Sequence, residues 1–111
     1  MAFEVRTTDR FEKEAKRLLK KYPSLKYELI ELQRLLIGNP YLGTPLGKNF
    51  YKLRLAIKSK GKGKSGGARV ITYLINKPTL ERVYLTTIYD KAERASVTNK
   101  ELLQIIDEIK L

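Results

Sequence analysis

The chain predicts an α+β domain: an N-terminal strand, a helical hairpin, a three-stranded antiparallel meander that completes a four-stranded sheet, and a C-terminal helix. Three observations carry this reading. Two apolar stripes at helical spacing are separated only by "YPS"; three β-branched or alternating runs follow with short connections; and Thr98-x-x-Glu101 has capping-box spacing ahead of a last apolar stripe.

Taken in order, "FEVRT" suits a short strand, and Asp9-x-x-Glu12 reads as a helix cap. Phe11, Ala15, Leu18, Leu19 and Tyr22 then share one helical face, with Lys and Glu on the other. Ser24 is placed to cap a second helix whose stripe is Leu25, Leu29, Leu32, Leu35 and Leu36, and "GNP" ends it at Gly38 to Pro40. The turn-rich "NPYLGTPLGKN" leads into "FYKLRLAIK", where Tyr51, Leu53, Leu55 and Ile57 alternate with Lys52, Arg54, Ala56 and Lys58, the period of a half-buried strand. "ARVITYLI" and "RVYLTTIY", joined by "NKPTLE", complete the meander. Helices are expected on one sheet face and the basic strand positions on the other.

The length of 111 residues fits one domain spanning 1–111. The absence of cysteine removes disulfide and thiolate chemistry, and the absence of histidine leaves acid/base work without imidazole. No apolar run approaches the ~20 residues of a membrane span, so a soluble cytoplasmic protein with no membrane partner is expected. No cofactor motif is recognised.

The net charge of +11 points to a polyanionic partner, and its placement is informative. Between Leu32 and Leu80 there is no Asp or Glu but ten basic residues, so this middle segment carries nearly the whole excess. Its densest part, "KSKGKGKSGGARV", is not a phosphate-binding P-loop. Lys58 stands where "GKS" would need a preceding glycine, and a strand rather than a helix follows. "GTPLGKN" has one residue too few between its glycines. The stretch reads instead as a hairpin connection, with Lys58, Lys60, Lys62 and Lys64, together with Lys48, as RNA-binding cations. Tyr51, Tyr73, Tyr84 and Tyr89 are available to stack on bases, and Tyr51 and Tyr84 read equally as core residues. Asp90, Glu93 and Arg94 read as solvated or paired residues opening the last connection.

The succession of the helical hairpin, "GTPLGKNFYKLRL", "KGKSGGARVITY" and "VYLTTIYDKAERASVTNKEL" resembles the RelE/ParE toxin superfamily over nearly the whole chain, most closely its HigB-like or RelE-like members. The resemblance implies the toxin of a type II toxin-antitoxin module. Its activity would be metal-independent mRNA cleavage on the ribosome that inhibits translation, and its partner a cognate antitoxin, often of helix-turn-helix type. It assigns Arg54 in "YKLRL", Arg69 in "GGARVITY", Lys91 in "IYDKAER" and Lys52 to the catalytic site. Where relatives carry Tyr or His near the start of the last helix, this chain reads "ASVTNK", which makes Tyr89 the nearby aromatic. Cleavage by 2′-OH attack needs a base, a stabiliser of the phosphorane and an acid. Arg54 and Arg69 suit bidentate phosphate contacts, and clustered cations favour a neutral amine, so Lys52 or Lys91 would be the base. Two alternatives stand beside this: a ParE-like inhibitor of DNA gyrase, and an RNA-binding module without catalysis.

Overall fold

The alternating and β-branched runs do become strands, and they assemble one mixed sheet. The computed structural model describes residues 3–61 and 63–109, leaving aside the side chains of Lys64 and Ser65. In chain order the elements are β1 (Glu4–Thr7), α1 (Asp9–Lys21), α2 (Leu25–Gly38), β2 (Thr44–Gly47), β3 (Phe50–Leu55), a 3-10 turn (Lys58–Lys60), the single helical turn α3 (Gly63–Gly66), β4 (Ala68–Lys77), β5 (Leu80–Asp90) and α4 (Asn99–Glu108). The sheet order is β1-β5-β4-β3-β2, with β1 parallel to β5 and the other neighbours antiparallel. Among the described residues no helix is long and apolar enough to cross a membrane.

The sheet has five strands where the sequence reading expected four. The extra one, β2, comes from the turn-rich segment: Thr44 pairs with Lys52 and Pro45 with Tyr51. A proline is tolerated there because β2 is an edge strand. Lys48 and Asn49 both have positive φ, 55° and 69°, which matches the primed turns that join two-residue hairpins.

The layering also differs from the expectation. One sheet face is covered by α1 and α2, through Phe11, Ala15 and Leu18 and through Leu25, Leu32 and Leu36, packed on Leu53, Val70, Val83 and Leu85. The opposite face is covered in part by α4, whose Leu102 and Ile105 pack on Phe50, Ile71 and Tyr89. The basic strand positions therefore share their face with a helix. The reason lies in β4 and β5, which are apolar on both sides and must be buried on both.

Thr8, not Asp9, caps α1: its hydroxyl accepts from the Phe11 N–H at 3.1 Å and donates to the Thr86 carbonyl at 2.8 Å. Ser24 precedes α2 but makes no cap hydrogen bond, because its hydroxyl is engaged with Glu28 and Ser59. At α4 the expected capping box is present, with Thr98 accepting from the Glu101 N–H at 3.1 Å and Glu101 accepting from the Thr98 N–H at 3.4 Å.

Candidate nucleic-acid interface

The β3–β4–β5 register brings the basic residues together. Arg54 lies opposite Arg69, and Arg69 lies opposite Tyr89, so the three form one row across adjacent strands. Directly opposed residues on antiparallel strands have Cα atoms about 4.5–5.5 Å apart, and like charges so placed repel. Arg54 is exposed and has no carboxylate or hydrogen-bond partner among the described residues. Arg69 is only 6% exposed, and its Nη1 donates to the Ala68 carbonyl at 3.2 Å. An anion arriving at this row would meet Arg54 first.

Tyr89 closes the row. Its ring is buried under α4, and its hydroxyl has no hydrogen-bond partner among the described residues. Burial pushes the Tyr89 hydroxyl above the ordinary tyrosine range, with the positive charges of Arg69 and Arg94 pulling against it. The phenol is thus held as a proton donor. Arg94 lies 5.1 Å from the ring centroid, and its placement follows from the helix cap: it donates to the Ser96 carbonyl at 3.1 Å and forms an ion pair with Glu101, the capping-box carboxylate. Sequence reasoning treated Arg94 as solvated or paired. Its pairing is what fixes it over Tyr89, and the Glu101 of the capping box was the available signal.

The next row contains Lys52, which pairs with Ile71 on β4. Lys52 is half-buried and lines a cleft of about 110 Å³ with Leu46, Val97, Asn99 and Leu102, under the start of α4. Lys91 follows β5. Its N–H donates to the Gly67 carbonyl at 3.0 Å and its Nζ donates to the Ala95 carbonyl at 3.1 Å, so it caps its own connection beside the row.

The Gly/Lys connection differs most from its reading as a hairpin connection whose lysines bind RNA. The Lys58 N–H donates to Glu28 at 2.7 Å and the Ser59 N–H donates to the Ser24 hydroxyl at 2.9 Å, which fastens the 3-10 turn to the start of α2. Gly67 carries the return: a Cβ there would lie 2.1 Å from the Leu55 carbonyl oxygen, so only glycine fits. Lys60 points inward rather than toward a ligand. Its side chain is 9% exposed and its Nζ is ion-paired with the fully buried Asp90. Asp90 also accepts from the Tyr22 hydroxyl at 2.6 Å and from the Ala92 N–H at 2.9 Å, and the Lys21 Nζ lies 3.7 Å away. Burial raises the Asp90 carboxyl, but Lys60, Tyr22 and the Ala92 N–H outweigh it and hold it at about 2.

Arg54, Arg69 and Tyr89 are therefore brought together, with Lys52 in the adjoining row and Lys91 at its end. Lys58 is exposed on the α2 side, and Lys48 sits in the β2–β3 turn. Lys48 stands six positions before Arg54, in the turn that precedes β3. Lys62 and the Lys64 side chain lie outside the described residues. The row thus sets the exposed guanidinium of Arg54 opposite the buried one of Arg69, whose Nη1 is engaged with the Ala68 carbonyl, with the buried phenol of Tyr89 on the far side. No protein-family model matches the chain.

Proposed function

We propose that the chain is the toxin of a type II toxin-antitoxin module in the RelE/ParE superfamily, a metal-independent, ribosome-dependent mRNA endonuclease. The supporting observation is the Arg54–Arg69–Tyr89 row on adjacent strands. The fold is compatible with this reading: a helical hairpin covers one face of the sheet, and a capped C-terminal helix overlies part of the basic face.

In the reaction the RNA 2′-oxygen forms a bond to the adjacent phosphorus while the P–O5′ bond breaks, giving a 2′,3′-cyclic phosphate and a free 5′-hydroxyl. Arg54, which is exposed, binds the phosphate first, and Arg69 stabilises the charge that builds on the phosphorane. Lys52 or Lys91 takes the 2′-OH proton, and Tyr89, kept protonated by burial, supplies the proton to the leaving 5′-oxygen. The ribosome aligns the message, and a cognate antitoxin of helix-turn-helix type restrains the toxin.

Induced expression of wild type, Arg54→Ala and Arg69→Ala, with mapping of mRNA 5′ ends, tests the proposal. Codon-spaced cuts should appear with wild type and fall by about 10²–10³-fold in each variant, the usual effect of removing one preorganised charge contact. Growth arrest with DNA damage and intact mRNA would replace the proposal with gyrase inhibition. RNA binding without new ends would reduce it to a binding module.

A further inference from the structure

Strand β4 extends past the start of β3. Phe50, the first residue of β3, pairs with Tyr73, and the Leu74 N–H donates to the Asn49 carbonyl at 2.9 Å. Beyond that bond Ile75, Asn76 and Lys77 pair with β5 alone. The notch at this corner of the sheet is a cleft of about 310 Å³, lined by Tyr41, Tyr51, Tyr73, Asn49, Asn76 and Lys77. That volume lies at the lower end of the ~300–1,000 Å³ range of small-ligand sites.

Its three aromatic rings come from different segments, and each is held. Tyr73 packs on Phe50 with ring centroids 4.9 Å apart, and Tyr51 packs against the core under α1 and α2. Tyr41, in the α2–β2 connection, meets Tyr51 edge to face at 6.3 Å and 80°, and its hydroxyl accepts from the Asn76 Nδ2 at 2.7 Å. In such a pair the ring that presents its edge keeps both faces clear of its partner. Tyr41 remains 49% exposed although its hydroxyl is anchored. The bond to Tyr41 uses one amide hydrogen of Asn76 and leaves a second donor and the carbonyl oxygen. The Asn49 carboxamide has no hydrogen-bond partner among the described residues.

We infer that this cleft binds a nucleotide, its base against the tyrosine rings and its phosphate at the neighbouring lysines. Three features select this ligand. Exposed aromatic rings offer a stacking platform to any base, because every base has a π-face. The carboxamides supply the paired donor and acceptor that match N6 and N7 of adenine. Lys77 lines the cleft and Lys48 precedes Asn49 in the turn; neither has a carboxylate partner among the described residues. No carboxylate is among the lining residues, and Glu81, opposite Asn76 on β5, stays outside them. A proline-rich peptide also suits tyrosine rings, but it leaves the lysines without an anion. The cleft sits at the start of β3 and Arg54 near its end, so the inference stands whether or not the chain cleaves RNA.

The test is an NMR titration of the full chain with AMP, read at the side-chain amides of Asn49 and Asn76. Ribose 5-phosphate is the control that carries the phosphate without the base. Both amides should shift with AMP, which should bind at least about tenfold more tightly than the control. Tyr41→Ala should weaken AMP binding by about fivefold to 150-fold, the span of one base–aromatic stack, whereas Tyr41→Phe keeps the ring and most of the affinity. Lys77→Gln should flatten the salt dependence. A 2′-O-methyl adenosine decamer, which has no 2′-OH to react, distinguishes the source of the nucleotide: tighter binding than AMP that Tyr41→Ala weakens means a nucleotide within a strand, and equal affinity means a free one. The inference is overturned if AMP leaves both amides unmoved, if AMP and ribose 5-phosphate bind equally, or if a decaproline peptide shifts the amides and AMP does not. It is equally overturned if AMP affinity falls with Arg54→Ala and not with Tyr41→Ala, since the nucleotide would then sit on the Arg54 row.

Discussion

Replacing Asp90 by Asn tests the buried knot that fastens the basic connection to the sheet. The carboxylate joins three parts of the chain: Lys60 from the 3-10 turn, Tyr22 from the end of α1, and the start of the last connection through the Ala92 N–H. Asn retains the shape but removes the charge, which leaves the Lys60 ammonium covered and unpaired. Breaking a buried pair from one side costs about 3–5 kcal/mol. The electrostatic share can be read separately. A carboxyl held at about 2 instead of 3.8 corresponds to roughly 2–3 kcal/mol of folding free energy. Because the folded value is the lower one, this stability is fully present above about pH 4 and is lost as pH falls through about 2. Urea denaturation between pH 7 and pH 2 should show Asp90→Asn destabilised by about 2–4 kcal/mol at neutral pH, with the gap from wild type closing below about pH 4. Lys60→Met in the Asp90→Asn background should recover part of the loss, since the stranded ammonium is then gone. A gap under about 0.5 kcal/mol, or one that stays constant down to pH 2, would refute the argument.

Three further substitutions separate folding from chemistry. Tyr89→Phe removes a buried hydroxyl that has no partner among the described residues. Thermal stability should hold or rise by up to about 1 kcal/mol while mRNA cleavage falls at least about tenfold; a clear loss of stability would mean the hydroxyl is bonded. Gly67→Ala places a Cβ 2.1 Å from the Leu55 carbonyl oxygen and should lower stability by more than about 2 kcal/mol in urea, whereas Gly38→Ala, with open space at its Cβ, should be neutral or stabilising by up to about 1 kcal/mol. Equal urea midpoints for the two alanine variants would contradict the close approach at Gly67.

Local signals carried much of the fold. The stripes of α1 and α2, the Thr98–Glu101 box and the β-branched runs of β4 and β5 each depend on neighbours within a few residues, and each formed where its pattern placed it, except that Leu35 of the α2 stripe is exposed. The second face of the sheet was also legible: "ARVITYLI" is continuous rather than alternating, which is the pattern of a strand covered on both sides. That continuity is at odds with helices on one face alone. The extra strand β2 was hidden because "TPLG" has turn composition and becomes a strand only through pairing with β3.

Sequence by itself determined the types of the main helices and of the strands other than β2, the charge imbalance of the middle segment, and the alternation that puts Lys52 and Arg54 on one side of β3. Those are properties of single segments, set by periods of 2 and 3.6 residues. Only the tertiary structure decided that Arg54, Arg69 and Tyr89 share a row, because register between strands is not encoded in either strand alone. Only the tertiary structure, too, separated Lys60 from its neighbours Lys58 and Arg54. All three are basic residues of one segment, but the buried carboxylate of Asp90, thirty residues further on, draws in one of them, since a charge taken out of water must be met by its opposite.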